Sequence, residues 1–202
     1  MLAIFKREFK SYFQNVIGWL FVAALLAVYG LYFYVYNLKN GYPYISYDLK
    51  GIGFIMMIAV PILTMRSLSD EKKTKTDQLM LTSPVSVGRI VAGKYLAMAA
   101  VYTIDIALFA LSPLVLSIYG KVALSEAYVA LFGYWLYGLS CIAVGLFISS
   151  ISESVIISAI LTFTALFLSY MMQSITGLIS SSGNLLTKVL NCFDLYTPFE
   201  NF

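Results

Sequence analysis

Apolar residues run through this chain in blocks about as long as a bilayer is thick, and its charged residues collect in the breaks between them. A different pattern precedes the first block. At 100° per residue, Met1 to Gln14 place Leu2, Phe5, Phe9, Tyr12 and Phe13 on one face and Lys6, Arg7, Lys10, Ser11 and Gln14 on the other, with Ile4 as the exception. This predicts an amphipathic helix over residues 1–14 lying in the membrane interface. Its basic face meets anionic headgroups and its aromatic face the acyl boundary, so Phe5, Lys6, Arg7, Phe9 and Lys10 are the expected anchor. Val16 to Tyr36 are then uncharged for 21 residues, matching ~30 Å of hydrocarbon, and end in a belt of Tyr29, Tyr32, Tyr34 and Tyr36.

The later blocks follow the same logic. Asn37 to Lys50, with Asn40, Gly41 and Pro43, reads as a short loop. Gly51 to Met65 are uncharged for only 15 residues, so the second span is expected to begin upstream near Tyr44, with Lys50 snorkelling or facing protein and Pro61 kinking its end. The third runs from Ile90 to Tyr119, its first turns projecting from the membrane with Lys94 and its middle holding Asp105. Ala127 to Ser150 supply the fourth span, and Ser154 to about Met172 the fifth. Gln173 to Leu186, interrupted by Gly177, Ser180 to Ser182 and Gly183, are expected to form a re-entrant or interfacial helix pair, followed by a loop to Phe202.

Composition agrees. The chain is 60% hydrophobic and 11% charged, far below the charge of a soluble domain. The expected fold is therefore an all-α polytopic membrane helix bundle: residues 1–14 interfacial, 15–172 a five-span domain with a charged loop at 66–94, and 173–202 a re-entrant or extracellular segment. Lys and Arg set the orientation. A cytosolic N-terminus leaves nine basic residues inside against Lys39, Lys50, Lys121 and Lys188 outside, which predicts a multi-pass protein of the inner or plasma membrane. A net charge of +3 is too small to suggest nucleic acid, and Cys141 and Cys192 have no motif spacing.

The chemistry available is narrow. With no histidine, His-based triads, His metal ligands and H-E-x-x-H proteases are excluded, and Asp105 is the one carboxylate expected deep in a span, which leaves an intramembrane aspartyl dyad unsupported. Gly88 to Lys94 fit G-x-x-x-x-G-K, but Tyr95 stands where a phosphate loop needs Ser or Thr, and no strand precedes it. The chain reads as non-catalytic, with no cofactor or metal of its own. Asp105 has two readings: a structural group, hydrogen-bonded or protonated, or a place on a transport path.

Between Arg66 and Lys94 lie nine charged residues: Arg66, Asp70, Glu71, Lys72, Lys73, Lys75, Asp77, Arg89 and Lys94. Within this stretch, Glu71-Lys-Lys-Thr-Lys75-Thr76, then Leu79-Met-Leu81-Thr82-Ser83-Pro84-Val85-Ser86, then Gly93-Lys94, resembles the cytosolic segment of type-2 ABC transporter permeases. There an acidic residue, a Gly-Thr pair, a leucine run, a Pro-Val corner and a Gly-Lys recur in this order. The pattern looks most similar to the gliding-motility-type subgroup. The resemblance implies an exporter in which two permease subunits, alike or different, each sit on a cytosolic ATPase that holds ATP and Mg. It also implies a coupling helix from Ser69 to about Thr82, ended by Pro84, in which Leu79, Met80 and Leu81 enter a groove of the ATPase while Asp70, Glu71, Lys72 and Lys73 form a polar rim around them and Thr76 completes the motif. Two departures stand out. Lys75 replaces the usual glycine, so the helix is expected to run on through it, and the family has six spans where this chain shows five, from truncation or as a natively five-span subunit. The competing classes are an ion- or proton-coupled transporter or channel using Asp105, and a non-transporting scaffold.

Overall fold

The computed structural model describes residues 2–42, 44–75, 86–119 and 123–179, the side chains of 172–179 excepted. Among these residues every regular element is helical. In chain order they are α1 (Leu2–Gln14), α2 (Val16–Tyr32) prolonged by a π-helical segment (Phe33–Lys39), α3 (Ile45–Thr64), α4 (Ser69–Lys73), α5 (Val87–Phe109), α6 (Ser112–Tyr119), α7 (Leu124–Ile151) and α8 (Val155–Ile179).

Four helical stretches are long and apolar enough to cross a membrane: Val16–Lys39, Ile45–Lys73, Val87–Ile118 and Leu124–Ile151, with a shorter apolar stretch at Val155–Met171. The chain is thus a polytopic helical membrane protein. The fifth helix differs from expectation. It does not stop at Met172 but continues to Ile179, through Gln173 and Gly177, where a re-entrant break was expected. A lone glycine costs a helix only about 1 kcal/mol relative to alanine, too little to interrupt an otherwise apolar run. The residues from 180 onward lie outside the described part.

Burial sorts the helices. Twelve of the 20 residues of α3 are buried, which puts it at the centre, against α2, α7 and α8. In α2 the buried positions are Gly18, Phe21, Val22, Leu25 and Tyr29, one stripe at helical spacing, while Trp19, Leu20 and Leu31 face outward. Such outward apolar residues suit a helix with lipid on its other side.

The chain turns sharply from α1 into α2 at Asn15, whose extended backbone (φ −92°, ψ 154°) breaks the helix. Gly18 makes the turn possible, because a Cβ there would collide with the Tyr12 carbonyl group. Phe5, Phe9 and Phe13 form a ladder of rings with centroids 5.8 and 5.0 Å apart, closed by Trp19 at 5.4 Å, and Trp19 Nε1 donates to the Phe13 carbonyl at 2.9 Å. With its ring face occupied, α1 packs chiefly against α5.

At the other end the structure shortens the expected loop. The π-helical segment carries the first span on to Lys39, and α3 starts at Ile45, close to the Tyr44 start expected from its short uncharged run. The extra residue per π turn rotates Asn37 inward, where it is buried.

Candidate functional site

The end of the bundle near α1 carries the charged site. It begins where α3 runs out. Ser67 N–H donates to the Thr64 carbonyl at 3.0 Å in a tight turn, and α4 follows at once. A helix of five residues leaves amides at its start without intrahelical partners. Ser149, on α7 and some 80 positions along the chain, supplies the acceptor: its Oγ takes the N–H groups of Leu68 and Ser69, each at 3.2 Å. One turn earlier Gly145 lies against Thr64, where any Cβ would overlap the threonine side chain, so the two helices approach closely enough for this cap.

Capping orients α4, and α4 orients its charges. Glu71 Oε1 accepts from Lys94 Nζ at 2.7 Å. The same ammonium donates to the Ser67 carbonyl at 2.9 Å and lies 3.4 Å from Glu8 Oε1 on α1. Lys94 is only 2% exposed, yet each of its donors has an oxygen to meet, which is the condition under which a buried ammonium is tolerated. Arg7 completes the group, 2.7 Å from Glu8 and 4.0 Å from Glu71. Two cations and two carboxylates balance. Lys72 turns the other way and donates to the Ser150 carbonyl at the end of α7. Beside the cluster, Tyr12 Oη donates to the Leu63 carbonyl at 3.4 Å. Burial, then the neighbouring Glu8 carboxylate, holds its pKa above the ordinary phenol range, so it remains a neutral donor.

One short segment therefore clasps α1, the start of the third span and the α7 end that leads into α8. A family model described as ABC-2 family transporter protein matches residues 31–202. The chain belongs to this family. It is an ABC-type transport permease, a membrane component of a transporter. No curated protein and no solved structure matches it.

The permease places its expected coupling residues in two groups. Asp70 and Lys73 are exposed at the bundle end, whereas Glu71 and Lys72 are half-buried and engaged in the clasp. Thr76, Leu79, Met80, Leu81 and Pro84 lie outside the described residues. The helix expected to run from Ser69 to about Thr82 ends instead at Lys73. Lys75 has a left-handed backbone (φ 56°), the conformation for which glycine is the usual residue. Lys75 therefore does not carry the helix onward. At the helix end the Asp70 carbonyl accepts from both the N–H of Thr74 at 3.0 Å and its Oγ1 at 2.8 Å, with the Glu71 carbonyl 3.3 Å from the same Oγ1.

The expected anchor residues divide by exposure. Lys6, Arg7 and Lys10 are exposed, Phe5 and Phe9 half-buried. Glu8 was not among the expected site residues. Its signal in the sequence is slight, a single acid among the bases of α1.

Among the described residues two carboxylates are fully buried rather than one. Asp105 is fully buried, and neither of its oxygens has a hydrogen-bond partner among the described residues. Asp48 is equally buried and accepts a hydrogen bond from the Asn37 amide. It entered the span because α3 starts at Ile45 and the π-helical turn brings Asn37 inward. Among the described residues no group of three His, Cys, Asp or Glu residues could hold a metal ion.

Proposed function

We propose that the chain is the membrane-spanning permease of an ATP-driven exporter, and that its charged end is the cytosolic face, where a separate ATPase subunit docks and drives the spans. The observation that carries this reading is the clasp. Residues 69–73 follow the second span directly and hold α1 and the third span through Glu71 and Lys94, and the α7 end through Lys72. A push on this segment would move all of them together, because charge-assisted hydrogen bonds resist stretching more than apolar contacts do. Asp70 and Lys73, exposed beside it, are the contacts left for a partner. Beyond Lys75 the order Leu79-Met80-Leu81 and then Pro84 supplies the apolar knob such a partner would grip.

In this reading ATP and Mg belong to the ATPase, the permease pairs with a second permease subunit, alike or different, and the N-terminus is cytosolic, in keeping with nine basic residues on that side. Leu79→Asp together with Leu81→Asp is expected to abolish co-purification with the ATPase subunit while membrane insertion stays intact. Unchanged co-purification would sink the reading. One observation favours a different class, the buried Asp105 with no hydrogen-bond partner among the described residues, which an ion- or proton-coupled transporter could use. Transport in proteoliposomes decides between them: strict dependence on ATP supports the exporter, and transport driven by a pH gradient alone, lost in Asp105→Asn, supports the alternative.

A further inference from the structure

Beneath α1 a groove of about 660 Å³ opens toward the outside of the bundle, between α1, α5 and α7. Its floor is the face of α5 that carries Ala99, Ala100, Thr103 and Ala107, where small side chains leave the space. Leu2 and Phe5 of α1 close one end and Trp135 of α7 forms a wall. Nothing in it asks for a polar ligand. Of the residues lining it only Thr103 and Trp135 carry polar side-chain atoms, and these are spent on protein: Trp135 Nε1 donates to Thr103 Oγ1 at 3.1 Å, and Thr103 Oγ1 donates to the Ala99 carbonyl at 2.7 Å.

From Leu96 to Ala107 the floor extends about 16 Å along the span at 1.5 Å per residue, close to half the thickness of the hydrocarbon core. That is the reach of one lipid tail within one leaflet. Basic residues adjoin the α1 residues that line the groove. Lys6 follows Phe5 directly and Lys10 stands one turn further along α1; both are exposed, and neither belongs to the clasp.

We propose that this groove is a binding site for an anionic phospholipid of the leaflet on which α1 lies, one acyl chain filling the groove and the headgroup phosphate held by Lys6 and Lys10. The amphipathic helix alone would give general attraction to an anionic surface. The groove adds a place for one tail, so selection for charge and occupancy of a cavity become linked. This inference does not depend on which side of the membrane α1 occupies, nor on the exporter reading.

Trp135 is the reporter. The chain has two tryptophans, so Trp19→Phe leaves Trp135 as the sole one. The full chain carrying that substitution is reconstituted in phosphatidylcholine vesicles in which a small, equal fraction of lipid is either phosphatidylglycerol or phosphatidylcholine brominated mid-chain, and quenching of Trp135 is measured. The expected result is several-fold stronger quenching by the brominated anionic lipid at low mole fraction. Lys6→Glu with Lys10→Glu, both on the surface and outside the core, should erase that preference. Ala100→Phe, which fills the groove, should reduce quenching by both lipids. Equal quenching by the two brominated lipids would mean that Trp135 meets bulk lipid only and would overturn the site. Absence of quenching by either would mean that protein covers the groove, a helix of a second copy for instance, and would overturn it equally.

Discussion

Lys94 and Asp105 sit on the same helix, eleven residues apart, and both are buried, the first 2% exposed and the second not at all. Lys94 has the Ser67 carbonyl, Glu71 and Glu8 around its ammonium, whereas Asp105 has no hydrogen-bond partner among the described residues. The contrast comes from position along the span. Near the bundle end helices stop, and stopping frees backbone groups and brings loop side chains within reach; the Ser67 carbonyl is available because α3 has just ended. In mid-span every backbone group is used within its own helix, and none is left over for a side chain. A charge at the end can collect partners, while one in the middle must find a side chain. Tyr102, the nearest candidate on the same face, already gives its hydroxyl to the Tyr134 carbonyl at 2.7 Å.

Three substitutions break or sharpen this contrast. The largest effect is expected from Lys94→Met, which removes the buried cation between Glu71 and Glu8 and leaves them only the exposed Arg7, 2.7 Å from Glu8 and 4.0 Å from Glu71; a loss of about 3 kcal/mol, the scale for removing one partner of a buried pair, should appear as a lowered Tm in detergent. Glu71→Gln should cost less, about 1–2 kcal/mol, because an oxygen acceptor stays within reach of Lys94 while the charge is lost. A double-mutant cycle refines the result: coupling of Glu71 to Lys94 at 2.7 Å should exceed that of Glu8 to Lys94 at 3.4 Å. The smallest effect belongs to Asp105→Asn, which keeps the shape of the side chain and removes no hydrogen bond seen among the described residues; Tm should stay within a degree or so of the parent, on the order of a few tenths of a kcal/mol. A fall as large as that of Lys94→Met would show that Asp105 has an ionic partner after all.

Much of this was legible in the residues. The spacing of Phe5, Phe9 and Phe13 against Lys6 and Lys10 is enough to specify α1, since a period near 3.6 residues gathers the two kinds of side chain on different faces of a helix. The start of α3 near Tyr44 followed from the shortness of its uncharged run, a matter of length alone. The clasp was not legible. Glu8 and Lys94 are 86 positions apart and Ser149 and Ser69 are 80, and no local pattern marks an acid or a serine as the partner of a residue that distant. Lys75 misled for a related reason. Its side chain suits a helix, but its backbone takes the left-handed conformation that closes α4, its N–H donating to the Lys72 carbonyl at 3.1 Å.

By itself the sequence determined that this chain is a bundle of membrane helices with a charged segment after the second span, because transfer of apolar side chains out of water depends on each side chain and its neighbours in the chain. Only the tertiary structure decided which of those charges stay exposed and which hold the permease together. Asp70 and Lys73 differ from Glu71 and Lys72 by one position or two in the sequence. What separates them is whether Lys94, Glu8 or the Ser150 carbonyl lies opposite, and that is settled by how the helices pack.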